Sequence, residues 1–157
     1  MTNEKKQAFT LRITSANSTE LIEILYEMLL EYVEDAKVAI EKNDIMEIHD
    51  SIRKARGCLK ELMESIDFAY DIAGYFMSLY AYVNKELLLA EIRKDVTVFD
   101  NVKVVIEPLR DAYTQLSQLD KSEPVMQNTQ KITAGLTYSR GNINESIEEQ
   151  NNRGFYV

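Results

Sequence analysis

From Asn17 to Leu119 the chain places an apolar residue at every third or fourth position, with only Gly57, Gly74 and Pro108 as helix breakers. The spacing is cleanest over Ile45, Ile48, Ile52, Ala55, Leu59, Leu62 and Ile66, where alternating steps of three and four keep all of them on one helical face. The pattern predicts four amphipathic helices. The first opens at Asn17, an N-cap with Glu20 three residues on, and runs to about Glu41. The second opens at Asp44, with Glu47 in the same relation, and ends near Ser65. The short connection Glu41 to Asn43 makes these two antiparallel neighbours. The third begins near Asp71 and carries Ile72, Phe76, Leu79, Val83, Leu87 and Ala90 as its core line.

The fourth segment holds two conflicting signals. Val96 to Phe99 and Val102 to Ile106, flanking Asp100 and Asn101, have the propensity of a β-hairpin. Val98, Val102, Val105, Leu109, Ala112, Leu116 and Leu119 nevertheless keep helical spacing throughout, and three helices need a fourth to close their core. A helix is predicted, kinked at Pro108, whose ring removes a donor and meets the carbonyl of Val104. The expected architecture is all-α: an antiparallel four-helix bundle over residues 17–119, with an N-terminal arm and a C-terminal tail.

The arm, residues 1–16, has Phe9, Leu11 and Ile13 at alternating positions, which suggests an extended segment lying along a groove. In the tail, residues 120–157, Ser, Asn, Gln, Thr and Gly dominate. A short helix over 124–133 fits there. Leu136, Tyr138, Ile143, Ile147, Phe155 and Tyr156 are scattered as docking contacts would be, so a docked or partly disordered tail is expected.

Two helices are more apolar than one core face requires. Helix one has a stripe of Leu21, Leu25, Met28, Tyr32 and Ala39 and, beside it, a second of Ile22, Tyr26, Leu29, Val33 and Ile40. Helix three adds Tyr75, Tyr82 and Leu89 beside its core line, and tyrosine suits either a core edge or a binding surface. These second stripes are the candidate binding surface. Glu20, Glu23, Glu27, Glu31 and Glu34 mark an acidic stripe on helix one, read as a solvated outer face.

The formal charge is −8, of which the arm carries about +2, residues 17–119 about −9 and the tail about −1. An acidic body argues against nucleic acid or an anionic membrane as the main partner and favours a protein. No run of eighteen apolar residues occurs, and the lysines of the first ten residues precede no apolar stretch, so a soluble cytoplasmic protein is expected. The lone Cys58 reads as a small, partly buried residue.

Catalytic readings fail mostly by count. A di-iron bundle needs two Glu-x-x-His pairs, and the chain has one histidine, His49. Phosphate loops, zinc-helix motifs and nucleophile elbows are missing from the sequence, so neither a catalytic residue, a metal nor a cofactor is expected. Histidine phosphotransfer domains also carry one histidine on helix two of a bundle, but ask for lysine and glycine where Ile52 and Arg53 stand. That reading stays as a lesser alternative, alongside a plain adaptor bundle whose second stripes close a homodimer.

Read in order, the helices resemble the flagellar secretion chaperone FliS family from about Gln7 to Ser117. The resemblance runs through Gln7, Ala8 and Phe9, then Ser18 to Leu21, Leu25 and Tyr26, Ala36 and Lys37, Lys54 and Ala55, and Glu61, Leu62, Ser65, Ile66 and Asp67. Its strongest block is Leu79, Tyr80, Tyr82, Leu87, Ala90 and Asp95, followed by Leu109, Arg110, Ala112 and Tyr113. Lys85 and Glu86 replace an arginine pair, and Tyr70 and Asp71 replace a glycine pair. Gly135 to Tyr138 and Asn152 to Phe155 are similar to the tails of longer members.

The resemblance implies a small chaperone that holds the disordered C-terminal segment of flagellin, prevents its premature polymerisation and presents it for export, with the export apparatus as a further partner. A free monomer and a 1:1 complex follow from it. The client-binding residues expected are Ile22, Tyr26, Leu29, Val33, Tyr75, Tyr82 and Leu89, with Phe9, Leu11 and Ile13 covering the groove until the client arrives.

Overall fold

The computed structural model describes residues 1–126, and these form five α-helices and no strand. They are α1 (Asn3–Ser15), α2 (Ser18–Glu41), α3 (Ile45–Glu64), α4 (Ala73–Arg93) and α5 (Val98–Leu119). Both predicted caps are present. The Asn17 side chain accepts from Glu20 N while Glu20 reaches back to the Asn17 N–H, and Asp44 accepts from Glu47 N at 3.1 Å. Asn43 supplies the left-handed residue, φ 52°, that turns α2 into α3 within three residues.

The long helices close a ring, α2 against α3, α3 against α4, α4 against α5 and α5 back against α2. One core fills it, with Tyr26, Leu29, Val33, Ile52, Leu59, Leu62, Val83, Leu87, Phe99, Val102 and Ile106 all essentially sealed from solvent. Residues 96–106 are not a hairpin: α5 is helical from Val98 and passes through Pro108 to Leu119. Helical spacing prevails over strand propensity because Val98, Val102 and Ile106 are needed on one side of the ring, where all three are buried. Pro108 and Val104 lie on the exposed face of α5, so the carbonyl that the proline leaves without a helical donor is on the side open to water.

The arm departs from expectation. Residues 3–15 are helical, not extended; Thr2 caps the helix by accepting from Lys5 N, and Thr10 adds a bond back to the Lys6 carbonyl. Phe9 and Ile13, four residues apart, share a helical face and are half-buried, whereas Leu11 points away at 72% exposure. No residue of α1 is fully buried, and α2 is the helix it packs on.

Of the tail only residues 120–126 are described, and the predicted helix over 124–133 lies largely outside them. The described part crosses the start of α2. The Thr19 hydroxyl donates to Asp120 at 2.5 Å, and Val125 N donates to the Ala16 carbonyl at 3.0 Å.

Candidate functional site

The structure separates the predicted surface into a core half and an open half. Tyr26, Leu29 and Val33 have no exposed surface at all, which corrects their assignment to an open groove. The physical reason is that α2 packs on both α3 and α5, so its two apolar stripes are the two walls of one core. The cover that the second stripe wanted is α5. Ile22 alone of the four is half-buried, at the mouth of a cleft.

Beneath Ile22 lies a polar exception in the core. The Tyr26 and Tyr80 hydroxyls hydrogen-bond each other, the Tyr26 ring packs on Tyr113 with centroids 5.6 Å apart, and Phe76 packs on Tyr80 at 6.1 Å. Burial drives the Tyr26 hydroxyl far above the usual tyrosine range and, outweighing its bond to Tyr26, pushes Tyr80 up to about 12. Both are neutral near pH 7. Among the described residues every buried side-chain polar atom has a partner.

The open half is on α4 and the loop before it. Tyr75 and Tyr82 are exposed, and Leu89, one heptad on, is half-buried against the core. α4 stands across the ring from α2, so these three do not form a single groove with the α2 stripe. Sequence reading placed Ile72 in the core line and passed over Phe68 and Tyr70; all three are exposed at the α3–α4 loop. Their alternation in a stretch that no helix claims was the available signal. Tyr70 and Ile72 line a cleft of about 230 Å³ together with Ile22, Ile66, Phe76 and Tyr113 among others.

The acidic stripe is also corrected. None of its five glutamates is left to solvent alone: Glu20 closes the cap, Glu23 accepts from Thr114 at 2.8 Å and Ser117 at 2.7 Å, and Glu34 pairs with Lys103. Glu31 takes Lys5 at 2.7 Å, Glu27 takes Arg12 in two contacts, and Asp35 takes the Met1 amino group. The stripe is a seam, with α5 on one side and the basic arm on the other. Arg12 also lies 5.7 Å from the centre of the Phe9 ring, and Phe9 reaches Leu30 in a cleft of about 370 Å³. The arm therefore covers the α2–α5 side and not the tyrosines of α4, which corrects the position expected for Phe9, Leu11 and Ile13.

His49 is exposed and its Nδ1 meets Glu91 Oε1 at 2.7 Å, joining α3 to α4. Cys58 is buried, which pushes its thiol up to about 12 and keeps it a thiol near neutrality. Glu86, one of the two residues that replace the arginine pair, is buried and accepts from Asn101 Nδ2 at 2.8 Å. Among the described residues no group of three or more His, Cys, Asp or Glu is placed to hold a metal, and no helix is long and apolar enough to cross a membrane.

The described residues thus define an all-helical class of protein, a ring of four long helices with exposed aromatic side chains at the α3–α4 loop and along α4. The family model of the flagellar protein FliS matches residues 1–120, and the chain belongs to that family. It is 24% identical over 111 residues to the flagellar secretion chaperone FliS of Bacillus subtilis, covering 71% of this chain and 84% of that one. It is 28% identical over 108 residues to the flagellar secretion chaperone FliSB of Pseudomonas aeruginosa, covering 68% and 86%.

Proposed function

We propose that this chain is a cytosolic export chaperone, without catalytic activity, that binds the C-terminal segment of flagellin, prevents premature polymerisation and delivers it to the flagellar export apparatus. The observation that carries the reading is the family match, which takes in all five helices. We take the ring to be an antiparallel four-helix bundle. A segment that folds on binding buries about 1,000–3,000 Å² and costs 2–5 kcal/mol or more in ordering, so the apolar surface it meets must exist beforehand. Tyr75 and Tyr82, with Leu89 beside them and Ile22 at the end cleft, offer such a surface.

The arm is proposed as a displaceable cover of the α2–α5 side, a second stretch of surface that the client would occupy in addition to α4. It buries no residue fully and is held by exposed ion pairs together with Phe9 and Ile13. Deleting residues 1–14 then tightens client binding in a titration; unchanged or weaker binding counts against the cover.

The reading is tested by co-expressing the chain with flagellin, full length or lacking its C-terminal segment, and resolving complexes by size exclusion. A 1:1 complex with the full-length client alone is expected, from a chain that is monomeric by itself. No complex with either, from a folded chain, removes flagellin as the client; a dimer at every concentration favours the adaptor reading.

A further inference from the structure

The described chain ends at the same end of the ring as its exposed aromatic loop. Phe68, Tyr70, Ile72 and Tyr75 are each between 58% and 67% exposed, an unusual density of uncovered apolar side chains for one short stretch. The cleft that Tyr70 and Ile72 line joins the start of α2, the end of α3, the start of α4 and the last turns of α5, so all four helix ends meet there. Val125, bonded to Ala16, is fixed at that same end. Ile22 at the cleft mouth is only about 9 Å further along α2 at 1.5 Å per residue.

We infer that residues 131–140 of this chain fold back onto the α3–α4 loop and cover its aromatic side chains. Thirty-one residues follow Met126 in the sequence, and the first large apolar side chains among them are Ile132, Leu136 and Tyr138. Lys131 and Arg140 bracket that run, as Asp67 and Asp71 bracket Phe68 and Tyr70 on the loop, so the charges match as well as the apolar content. Fully extended, the chain from Val125 reaches about 20 Å to Lys131 and about 50 Å to Arg140, which spans the distance with slack. A tether this short supplies an effective concentration of order millimolar, so a contact with an intrinsic Kd of about 0.1 mM is closed over open by about tenfold. A second copy of the chain gains no such advantage and brings another net −8 against an acidic body. In the chaperone the tail would then cover part of the surface offered to the client, although the self-contact requires no client.

The test is amide hydrogen exchange on the full-length chain alone, comparing it with a tail variant carrying Leu136→Asp and Tyr138→Asp and a loop variant carrying Phe68→Asp and Tyr70→Asp. The tail variant is expected to exchange about tenfold faster over residues 67–76, and the loop variant about tenfold faster over 131–140, with α3 and α5 unchanged in both. Each variant alters one partner and is read on the other, so damage confined to the substituted segment does not imitate docking. Unchanged exchange on the unsubstituted partner overturns the inference. Protection that grows with protein concentration overturns it too, by making a second copy the occupant. Since flagellin is absent, these outcomes stand apart from the success or failure of the chaperone reading.

Discussion

Tyr26 shows how one side chain can satisfy a surface pattern in sequence and a core role in space. Its hydroxyl meets that of Tyr80 where neither has access to water, so removing one leaves the other without its partner. Tyr26→Phe is expected to cost about 1–3 kcal/mol, and the double change with Tyr80→Phe less than the two single costs together; additive costs in urea unfolding would show that the hydroxyls do not depend on each other. The raised pKa values give a second expectation. A folded-state pKa above the unfolded value contributes stability that is complete below the unfolded value near 10 and is lost as pH rises toward the folded one. Thermal unfolding should therefore decline from about pH 10 upward, with Tyr80 ionising at about 12, and Tyr80→Phe should flatten the decline. Cys58 gave no such difficulty, since a lone cysteine on the apolar side of an amphipathic helix is legible as core.

At the scale of elements, the four long helices were readable because spacing and length agree in each, and two of them, α2 and α3, also open on a side-chain cap. Asn17 with Glu20 and Asp44 with Glu47 set two starts to the residue, and heptad-like spacing across Val98 to Leu119 outweighed a run of valines. α1 was misread for a physical reason. Its period-two apolar trio competes with the four-residue step from Phe9 to Ile13, and what stabilises the helix is a partner: the glutamates of α2 opposite Lys5 and Arg12. The positive arm and the acidic stripe were each visible in the sequence, but their pairing is a long-range fact. Exposed ion pairs are screened by salt, with a Debye length falling from about 10 Å at 0.1 M to 3 Å at 1 M. Raising salt across that range should accelerate amide exchange in residues 3–15 while leaving α3 unaffected; equal behaviour would mean that Phe9 and Ile13 hold the arm without the charges.

For the molecule as a whole, the distinction between core and surface becomes a pair of opposite phenotypes. Leu29→Ala opens a cavity at a fully buried site and should cost about 2–5 kcal/mol, with any loss of client binding following the loss of fold. Tyr75→Ser, at a position 65% exposed, should leave stability within about 0.5 kcal/mol and weaken the flagellin complex directly. A Tyr75→Ser chain that binds as before would move the client's footprint off α4. The exposure of Tyr75 and Tyr82 was legible because tyrosines at heptad spacing stand out on a helix. The burial of Tyr26, Leu29 and Val33 was not, because an apolar stripe covered by a distant helix looks the same in sequence as one left open.

That distant helix also sets an order of events on the ribosome. α2 and α3 are joined by three residues and can pair as soon as both have emerged, whereas the contacts of Glu23 with Thr114 and Ser117, and of Tyr26 with Tyr113, span some ninety residues of later synthesis. Until α5 leaves the exit tunnel, the wall containing Tyr26 lacks the side that Tyr113 covers, and the nascent chain passes through a stage in which its own core is sticky. The chain thus begins life with part of its own core uncovered, and α5 is the helix that closes it.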